Sequence, residues 1–376
     1  MTKCTCINQD NTNTTMLLQN TFERIHEYTE NVGLHDVPKL DVEPLQDKQM
    51  TDRDVPFYDA ANHLSVNFKD SYQKWAISGE FTFDSTLLFT LEKSYNIFSD
   101  AKSKATFNWV IQFMVTWLLT NSLKAAEDLF PYPSLRSELY YIKEEFIHMK
   151  KQNDLLYDID GYTIHIRRPE DYGILRETWI YNNYLLEGRC EPKQNDIVID
   201  AGAYIGDSSI WFAQKTSPDG KIYAFEIEEP SIEYLLDNVK RNSLDNNIKV
   251  VDKGLWSQNT SLKAVENYTA TAYSQENGDF IFEAITIDTF VKENCLDRVD
   301  YIKMDIEGAE IDALKGAENT IKTFKPKLAI ALYHKSTDII EIPDLIKTLV
   351  PEYRIYLSHK LDVPVATILF ALLENN

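Results

Sequence analysis

The chain has 376 residues, more than one small core needs and enough for two domains or one elaborated α/β domain. Its 38 basic against 59 acidic residues leave a net charge of −21, a surface that should repel nucleic acid and anionic membrane and that argues against an enzyme acting on RNA or DNA. The four cysteines, Cys4, Cys6, Cys190 and Cys295, are sparse, have no zinc spacing and fit a reducing cytoplasm.

Residues 1–55 are polar, with Thr/Asn repeats, and read as a partly flexible lead-in with one helix from Met16 to Asn31. The first 15 residues lack the apolar run of a signal peptide. Residues 56–151 follow a helical pattern rich in aromatics, among them Trp75, Phe98, Phe107, Trp109, Phe113 and Trp117, with a break at Asp128–Pro133 before a last helix, Leu135–Lys150. The uncharged stretch Ala105–Leu123 is interrupted every four positions by Asn108, Gln112, Thr116 and Thr120, so it predicts an amphipathic helix and no membrane span. This all-helical accessory domain is expected to cap a cleft or to carry a homo-oligomer contact.

Residues 152–376 read as a separate α/β domain that closes its own sheet. Alternating apolar residues around Asp160-Gly161 predict a hairpin over Leu155–Ile166, and a helix is expected over Glu177–Leu186. Strands are expected at 196–200, 221–226, 247–252, 283–287, 299–305, 327–333, 353–359 and 365–372, and helices at 207–215, 230–243, 308–324 and 338–350. Such alternation defines a Rossmann-like, doubly wound, mainly parallel sheet. The last two strands follow each other without a helix and should pair antiparallel.

The most informative segment is Ile197-Val198-Ile199-Asp200-Ala201-Gly202-Ala203-Tyr204-Ile205-Gly206-Asp207: a buried strand, a glycine turn and a helix start. Its spacing is D-x-G-x-x-x-G, whereas a dinucleotide fingerprint has G-x-G-x-x-G and bares the helix start for a pyrophosphate. Asp200 and Asp207 would repel a pyrophosphate but accept from an ammonium group. S-adenosylmethionine carries an amino group and a sulfonium and no phosphate. Glu226, 20 residues past Gly206, ends the second strand, where an acid accepts from the ribose hydroxyls of an adenosine ligand. Asp200, Gly202, Tyr204, Gly206, Asp207 and Glu226 are therefore the expected cofactor residues. Asp252, with Gly254 after the third strand, would border the adenine.

Downstream, a strand delivers Asp305 at its carboxyl end, beside the sheet's reversal point. Glu307 and Gly308 turn the chain, and Glu310 is expected only to complement the dipole of the following helix.

The set Asp200-Ala-Gly-Ala-Tyr-Ile-Gly206, Tyr223-Ala-Phe-Glu226, Ile285-Thr-Ile-Asp288, Ile302-Lys-Met-Asp-Ile-Glu-Gly-Ala-Glu310 and Leu314-Lys-Gly-Ala317 resembles the FkbM-family methyltransferases. The likeness covers roughly residues 155–372, and its most specific part is the K-x-D-x-E-G-A-E block. It departs at Ile227-Glu228-Glu229-Pro230, where the family has E-P directly after the acid. The resemblance implies an S-adenosylmethionine-dependent enzyme that O-methylates a sugar, glycan or natural product, with a modified-peptide hydroxyl also open as acceptor.

His334 emerges at the end of the strand Leu328–Tyr333, and His359 ends the strand Arg354–Ser358. If both strands run parallel to the first, both imidazoles face the crevice, where His334 could serve as the base for a hydroxyl and His359 could orient it. Asp305 beside His334 would stabilise the imidazolium. A mixed O/N metal site from Asp305, Glu307, His334 and His359 is a competing use of the same groups, although no pair has helical ligand spacing. The chain could also be an NAD(P)-dependent oxidoreductase, although Asp200 and the missing third glycine count against it, or a non-catalytic S-adenosylmethionine-binding protein.

Overall fold

The structure is a computed structural model that describes residues 12–32, 85–120, 122–132, 150–153, 155–265, 272–274, 280–335, 337–361 and 366–374. In chain order the helices α1 (Thr12–Val32), α2 (Ser85–Ile97), α3 (Ala101–Thr120) and α4 (Leu123–Leu129) come first. Strands β1 (Lys150–Asn153), β2 (Leu156–Ile159) and β3 (Tyr162–His165) follow. Then β4 (Ile197–Ala201), α5 (Asp207–Thr216), β5 (Lys221–Glu226), α6 (Glu229–Arg241) and β6 (Ile248–Asp252) alternate. A side branch holds β7 (Gly254–Leu255), β8 (Thr260–Val265), β9 (Ala272–Ser274) and β10 (Phe280–Ile285). The chain returns through α7 (Ile287–Glu293), β11 (Tyr301–Met304), α8 (Glu310–Lys315), α9 (Glu318–Phe324), β12 (Lys327–Ala331), α10 (Asp338–Leu349), β13 (Arg354–His359) and β14 (Thr367–Leu372).

The central sheet has seven strands in the order β13-β14-β12-β11-β4-β5-β6. Strands β12, β11, β4, β5 and β6 are mutually parallel, and β14 runs antiparallel between β12 and β13. Successive strands leave β4 toward β6 and then resume on its other side at β11. The reversal point therefore lies between β4 and β11, the place where open sheets of this type bind ligands. Both faces of the sheet are covered, which is why β4, β11, β12 and β14 are nearly continuous apolar runs instead of alternating ones.

The hairpin forms as expected, with Asp160 and Gly161 both at positive φ (51° and 90°) in the two-residue turn between β2 and β3. Three expectations change. The strand expected at 283–287 pairs with β7 and β8 in a separate four-stranded sheet and not in the doubly wound one. Helical turns run from Pro169 to Ile180 and stop there, so Glu177–Leu186 is not one helix; the chain instead swings through Asn182 (φ 48°) to deliver Tyr184. The helix expected over 308–324 is broken at Gly316, whose carbonyl accepts from the Asp288 N–H (3.0 Å). The Asp288 carboxylate in turn accepts from the N–H groups of Asn319 and Thr320 (2.9 and 2.7 Å), capping α9. A β-carbon on Gly316 would sit 2.0 Å from the Trp256 carbonyl oxygen, so the break is also a close approach that excludes any side chain.

The helical region shares its core with the sheet. Leu18, Phe22 and Ile25 of α1 and Phe107, Val110, Ile111 and Met114 of α3 are buried in the same apolar cluster as Ile355 and Leu357 of β13. The Ser99 N–H donates to the Ile355 carbonyl, the Ile355 N–H donates to Ser99 Oγ, and the Leu357 N–H donates to Ser103 Oγ. Ser99 and Ser103 thus satisfy the outer edge of β13, which would otherwise be an open strand edge. The polar row on α3 faces α1, with Gln112 Nε2 donating to Thr21 Oγ1 (3.2 Å) and Thr116 fully buried. The expected helix Leu135–Lys150 lies outside the described residues except for Lys150, which opens β1. No described helix is long and apolar enough to cross a membrane.

Candidate functional site

Two groups of side chains meet at the carboxyl ends of the strands around the reversal point. The first is built on the turn after β4. Gly202, Tyr204 and Gly206 all have positive φ (80°, 47° and 87°), which folds the turn tightly and starts α5 directly behind it. A β-carbon on Gly202 would lie 1.9 Å from the Asp305 carbonyl oxygen, so this glycine lets the ends of β4 and β11 touch. The carbonyl of Phe225 holds the turn through the N–H groups of Gly202 and Ala203 (3.1 and 2.9 Å). Glu226, at the tip of β5, accepts from the N–H groups of Tyr204 (2.8 Å), Ile227 (2.7 Å) and Glu228 (2.9 Å). Burial raises its pKa and these N–H groups oppose the rise. Of the four acceptor directions of a carboxylate, one on Oε2 is left for a ligand. Asp252 is exposed at the end of β6 as the register partner of Glu226. Gly254 is buried against the Phe282 ring, 2.3 Å from where its β-carbon would be, and has a packing reason of its own.

Asp200 is turned inward. It accepts from Ser208 Oγ (2.8 Å) and Ser209 Oγ (2.6 Å) and pairs with Lys303 Nζ at 3.2 Å, with both side chains almost wholly buried. Its expected contact with a ligand's ammonium is thereby taken by the protein's own lysine. Asp207 is also buried, accepts from Thr178 Oγ1 (2.7 Å) and is pushed up to about 7 by that burial. Tyr204 donates its hydroxyl to Asp171 (3.1 Å) and lies under the Arg167 guanidinium.

The second group surrounds Asp305. Its carboxylate accepts from Tyr184 Oη (2.5 Å) and from Tyr333 Oη (2.7 and 2.8 Å to the two oxygens). His334 follows Tyr333 just beyond β12. Its Nε2 lies 3.3 Å from Asp305 Oδ1 and 3.3 Å from Glu307 Oε2, and its Nδ1 lies 2.8 Å from Glu310 Oε1. Burial alone would lower the imidazole pKa, but Glu310, Glu307 and Asp305 together hold it up at about 10. The three carboxylates thus favour the protonated imidazole, so a proton or another positive charge at Nε2 is favoured over the neutral base that its strand-end position suggested. Asp305 is held below the ordinary carboxylate range: burial pushes it up, and His334 and Lys303 more than offset that.

The structure does not bring His359 to this cluster. Strand β14 separates it from β12, its Nδ1 pairs with Thr367 Oγ1 (2.9 Å), and its ring packs on Trp109 (4.5 Å between centroids) and parallel to Tyr132 (6.0 Å). Parallel strands were not enough to place it in the crevice, because an antiparallel strand intervenes.

Sequence reasoning missed Glu310, Tyr184, Tyr333 and Lys303. Glu310 is fully buried, accepts from the Ile306 N–H (2.9 Å) and orients His334, so it does more than complement a helix dipole. The signal was there in part: Lys303, two positions before Asp305 on a buried strand, had to find a buried partner. Tyr184 had none, since it reaches Asp305 only across 121 residues of sequence.

The seven-stranded sheet and its reversal point define a Rossmann-like α/β fold. Residues 200–360, somewhat less than half of the chain, match the methyltransferase FkbM domain. No curated protein matches its sequence. Among solved structures it is similar to a methyltransferase FkbM from Methylobacillus flagellatus KT, at 20% identity and a TM-score of 0.47, covering 80% of this chain and 65% of that one. The chain therefore spans somewhat less than two thirds of that relative's length. It is also similar to an O-methyltransferase from Bacillus cereus in complex with SAH (12% identity, TM-score 0.34, covering 55% of this chain and 81% of that one). A third is a fibrillarin from Aeropyrum pernix with natively bound S-adenosyl-L-methionine (18% identity, TM-score 0.33, covering 51% and 73%).

Proposed function

We propose that this chain transfers the methyl group of S-adenosylmethionine to a hydroxyl of a sugar, glycan or other natural product. The observation that carries the reading is the meeting of two half-sites across Gly202: the Glu226-tipped turn on one side and the Asp305–His334 cluster on the other. The residues fit the cofactor. Glu226 keeps one acceptor direction for a ribose hydroxyl, Asp252 stands beside it where the adenine edge would lie, and the tight turn over Gly202–Gly206 would take the methionyl part. When bound, S-adenosylmethionine supplies a methyl on a positively charged sulfur.

The protein's work is then alignment, exclusion of water and removal of one proton. Asp305 is fixed by two phenols, so its carboxylate cannot rotate away from the acceptor. The hydroxyl proton would pass to the carboxylate of Asp305 or of Glu307, both of which lie 3.3 Å from His334 Nε2. The acidic surface favours a neutral or cationic acceptor. Incubation with methyl-labelled S-adenosylmethionine and a panel of glycan, polyketide and peptide hydroxyls tests the reading. Label on an acceptor with release of S-adenosylhomocysteine supports it; label only on nitrogen or sulfur acceptors refutes the O-methyl assignment.

A further inference from the structure

We infer that Asp305, Glu307 and His334 form a binding site for one divalent cation on the acceptor side of the crevice. The site stands on its own geometry, while its role in methyl transfer rests on the function proposed above.

Asp305 and Glu307 each place a carboxylate oxygen 3.3 Å from His334 Nε2, and the ligand atoms of Asp305, Glu310 and His334 lie within 4.8 Å of one another, with Glu310 behind the ring. His334 Nδ1 is engaged by Glu310 Oε1, and Glu310 is itself fully buried and fixed by the Ile306 N–H. That carboxylate–histidine contact sets the ring's orientation and directs Nε2 toward the crevice, the arrangement seen behind metal-bound imidazoles. His334 is 4% exposed, yet its Nε2 has no hydrogen-bond partner: it is in contact with two carboxylate oxygens and aligned with neither. Both oxygens lie 3.3 Å from Nε2. Atoms bonded to one ion at about 2.1 Å stand about 3.0–3.4 Å apart in octahedral or tetrahedral geometry, so both nitrogen-to-oxygen spacings suit a shared ion.

Two further features fit. Glu307 adopts positive φ (55°) immediately before Gly308 (φ 94°), a strained placement for a side chain with a β-carbon, and it is this turn that brings its carboxylate to His334. Exposure rises from Glu310 (0%) through His334 (4%) and Asp305 (15%) to Glu307 (32%), so the site is closed behind and open toward the crevice. An ion there keeps positions free for the acceptor. One imidazole and two carboxylates suit Mn²⁺ or Zn²⁺ better than Ca²⁺. With the ion in place, a coordinated hydroxyl is acidified and its proton leaves to water at the mouth. The oxygen then forms its bond to the methyl carbon as the carbon–sulfur bond breaks, and the two carboxylates act as ligands instead of bases.

The test is ion uptake by the full chain after dialysis against a chelator, with Mn²⁺ followed by electron paramagnetic resonance and Zn²⁺ by calorimetry. One ion per chain is expected. Glu307→Gln, at the partly exposed ligand, should weaken uptake more than 10-fold with the fold intact by circular dichroism. Glu310→Gln, which touches only the other ring nitrogen, should weaken it about 10–100-fold. No stoichiometric uptake of either ion, or uptake unchanged in Glu307→Gln, would overturn the site. Calorimetric binding of S-adenosylhomocysteine is read on the same chelated sample, so loss of the metal site and loss of the methyltransferase reading are separate results.

Discussion

Lys303 and Asp200 are register partners on adjacent strands, and their charged ends meet 3.2 Å apart inside the sheet. Lys303 Nζ also donates to the carbonyls of Gly202 (2.6 Å) and Ala201 (3.1 Å). Burial alone would lower the lysine pKa, but Asp200, followed by Asp305 and Asp207, raises it, so the lysine stays charged. One buried ammonium thus neutralises the acid of the glycine motif and holds the turn's carbonyls. Removing one member of a buried pair typically costs about 3–5 kcal/mol, because the other charge is stranded. Lys303→Met should show that loss in chemical denaturation, and Lys303→Met with Asp200→Asn should recover much of it. A single variant as stable as the wild type would contradict this role.

Asp207 gives a pH dependence with a definite sign. Burial lifts its folded-state pKa to about 7 from an ordinary value of 3.8, so between those pH values the folded chain holds a proton that the unfolded chain has lost. The group's contribution to stability is therefore largest at low pH, declines as pH rises from about 4 to about 7, and is flat above that. Asp207→Asn keeps an acceptor for Thr178 and cannot ionise. The difference in melting temperature, variant minus wild type, should grow across that window and then level off. A difference that is constant from pH 4 to pH 8 would show that Asp207 is ionised throughout.

His334 is the test of the acceptor half-site. His334→Ala should lower methyl transfer by about 10²-fold or more, because the Asp305 and Glu307 carboxylates lose the imidazole held between them, with S-adenosylhomocysteine affinity nearly unchanged. His334→Gln retains a polar group between the carboxylates and guards against simple misfolding. Wild-type turnover in either variant would make His334 a structural residue.

The edge of β13 gives a prediction about the helical region. With residues 1–132 removed, the N–H groups of Ile355 and Leu357 and the carbonyl of Ile355 lose Ser99 and Ser103, and the apolar cluster shared with α1 and α3 is exposed. Open strand edges and apolar faces drive association. The truncated chain should be insoluble or elute as aggregate on gel filtration. A soluble monomer would mean that the sheet can close without the helices.

Much of this was legible in the sequence because the parallel strands are continuous apolar runs, and the D-x-G-x-x-x-G turn and the acid at Glu226 lie in one βαβ unit of local contacts. The same locality explains the Asp305 position. What the sequence withheld depends on side chains meeting across long separations. The Tyr184 and Tyr333 contacts to Asp305, the orientation of Asp200 toward Lys303, and the covering of β13 by Ser99 and Ser103 leave no periodic mark. The break at Gly316 was hidden for another reason: it exists to serve Asp288, a residue 28 positions earlier, and helical periodicity runs through it undisturbed. His359 was misplaced because strand direction was considered without strand order.

Calorimetric titration of S-adenosylhomocysteine into wild type and Glu226→Ala asks whether the Glu226-tipped turn holds S-adenosylmethionine. A hydrogen bond to a charged acceptor contributes about 1.5–3 kcal/mol, so the variant should bind roughly 10–150-fold more weakly. One site per chain is expected in the wild type, and that loss in the variant. Absence of binding to the folded wild-type chain, or equal affinity in the two proteins, would contradict it.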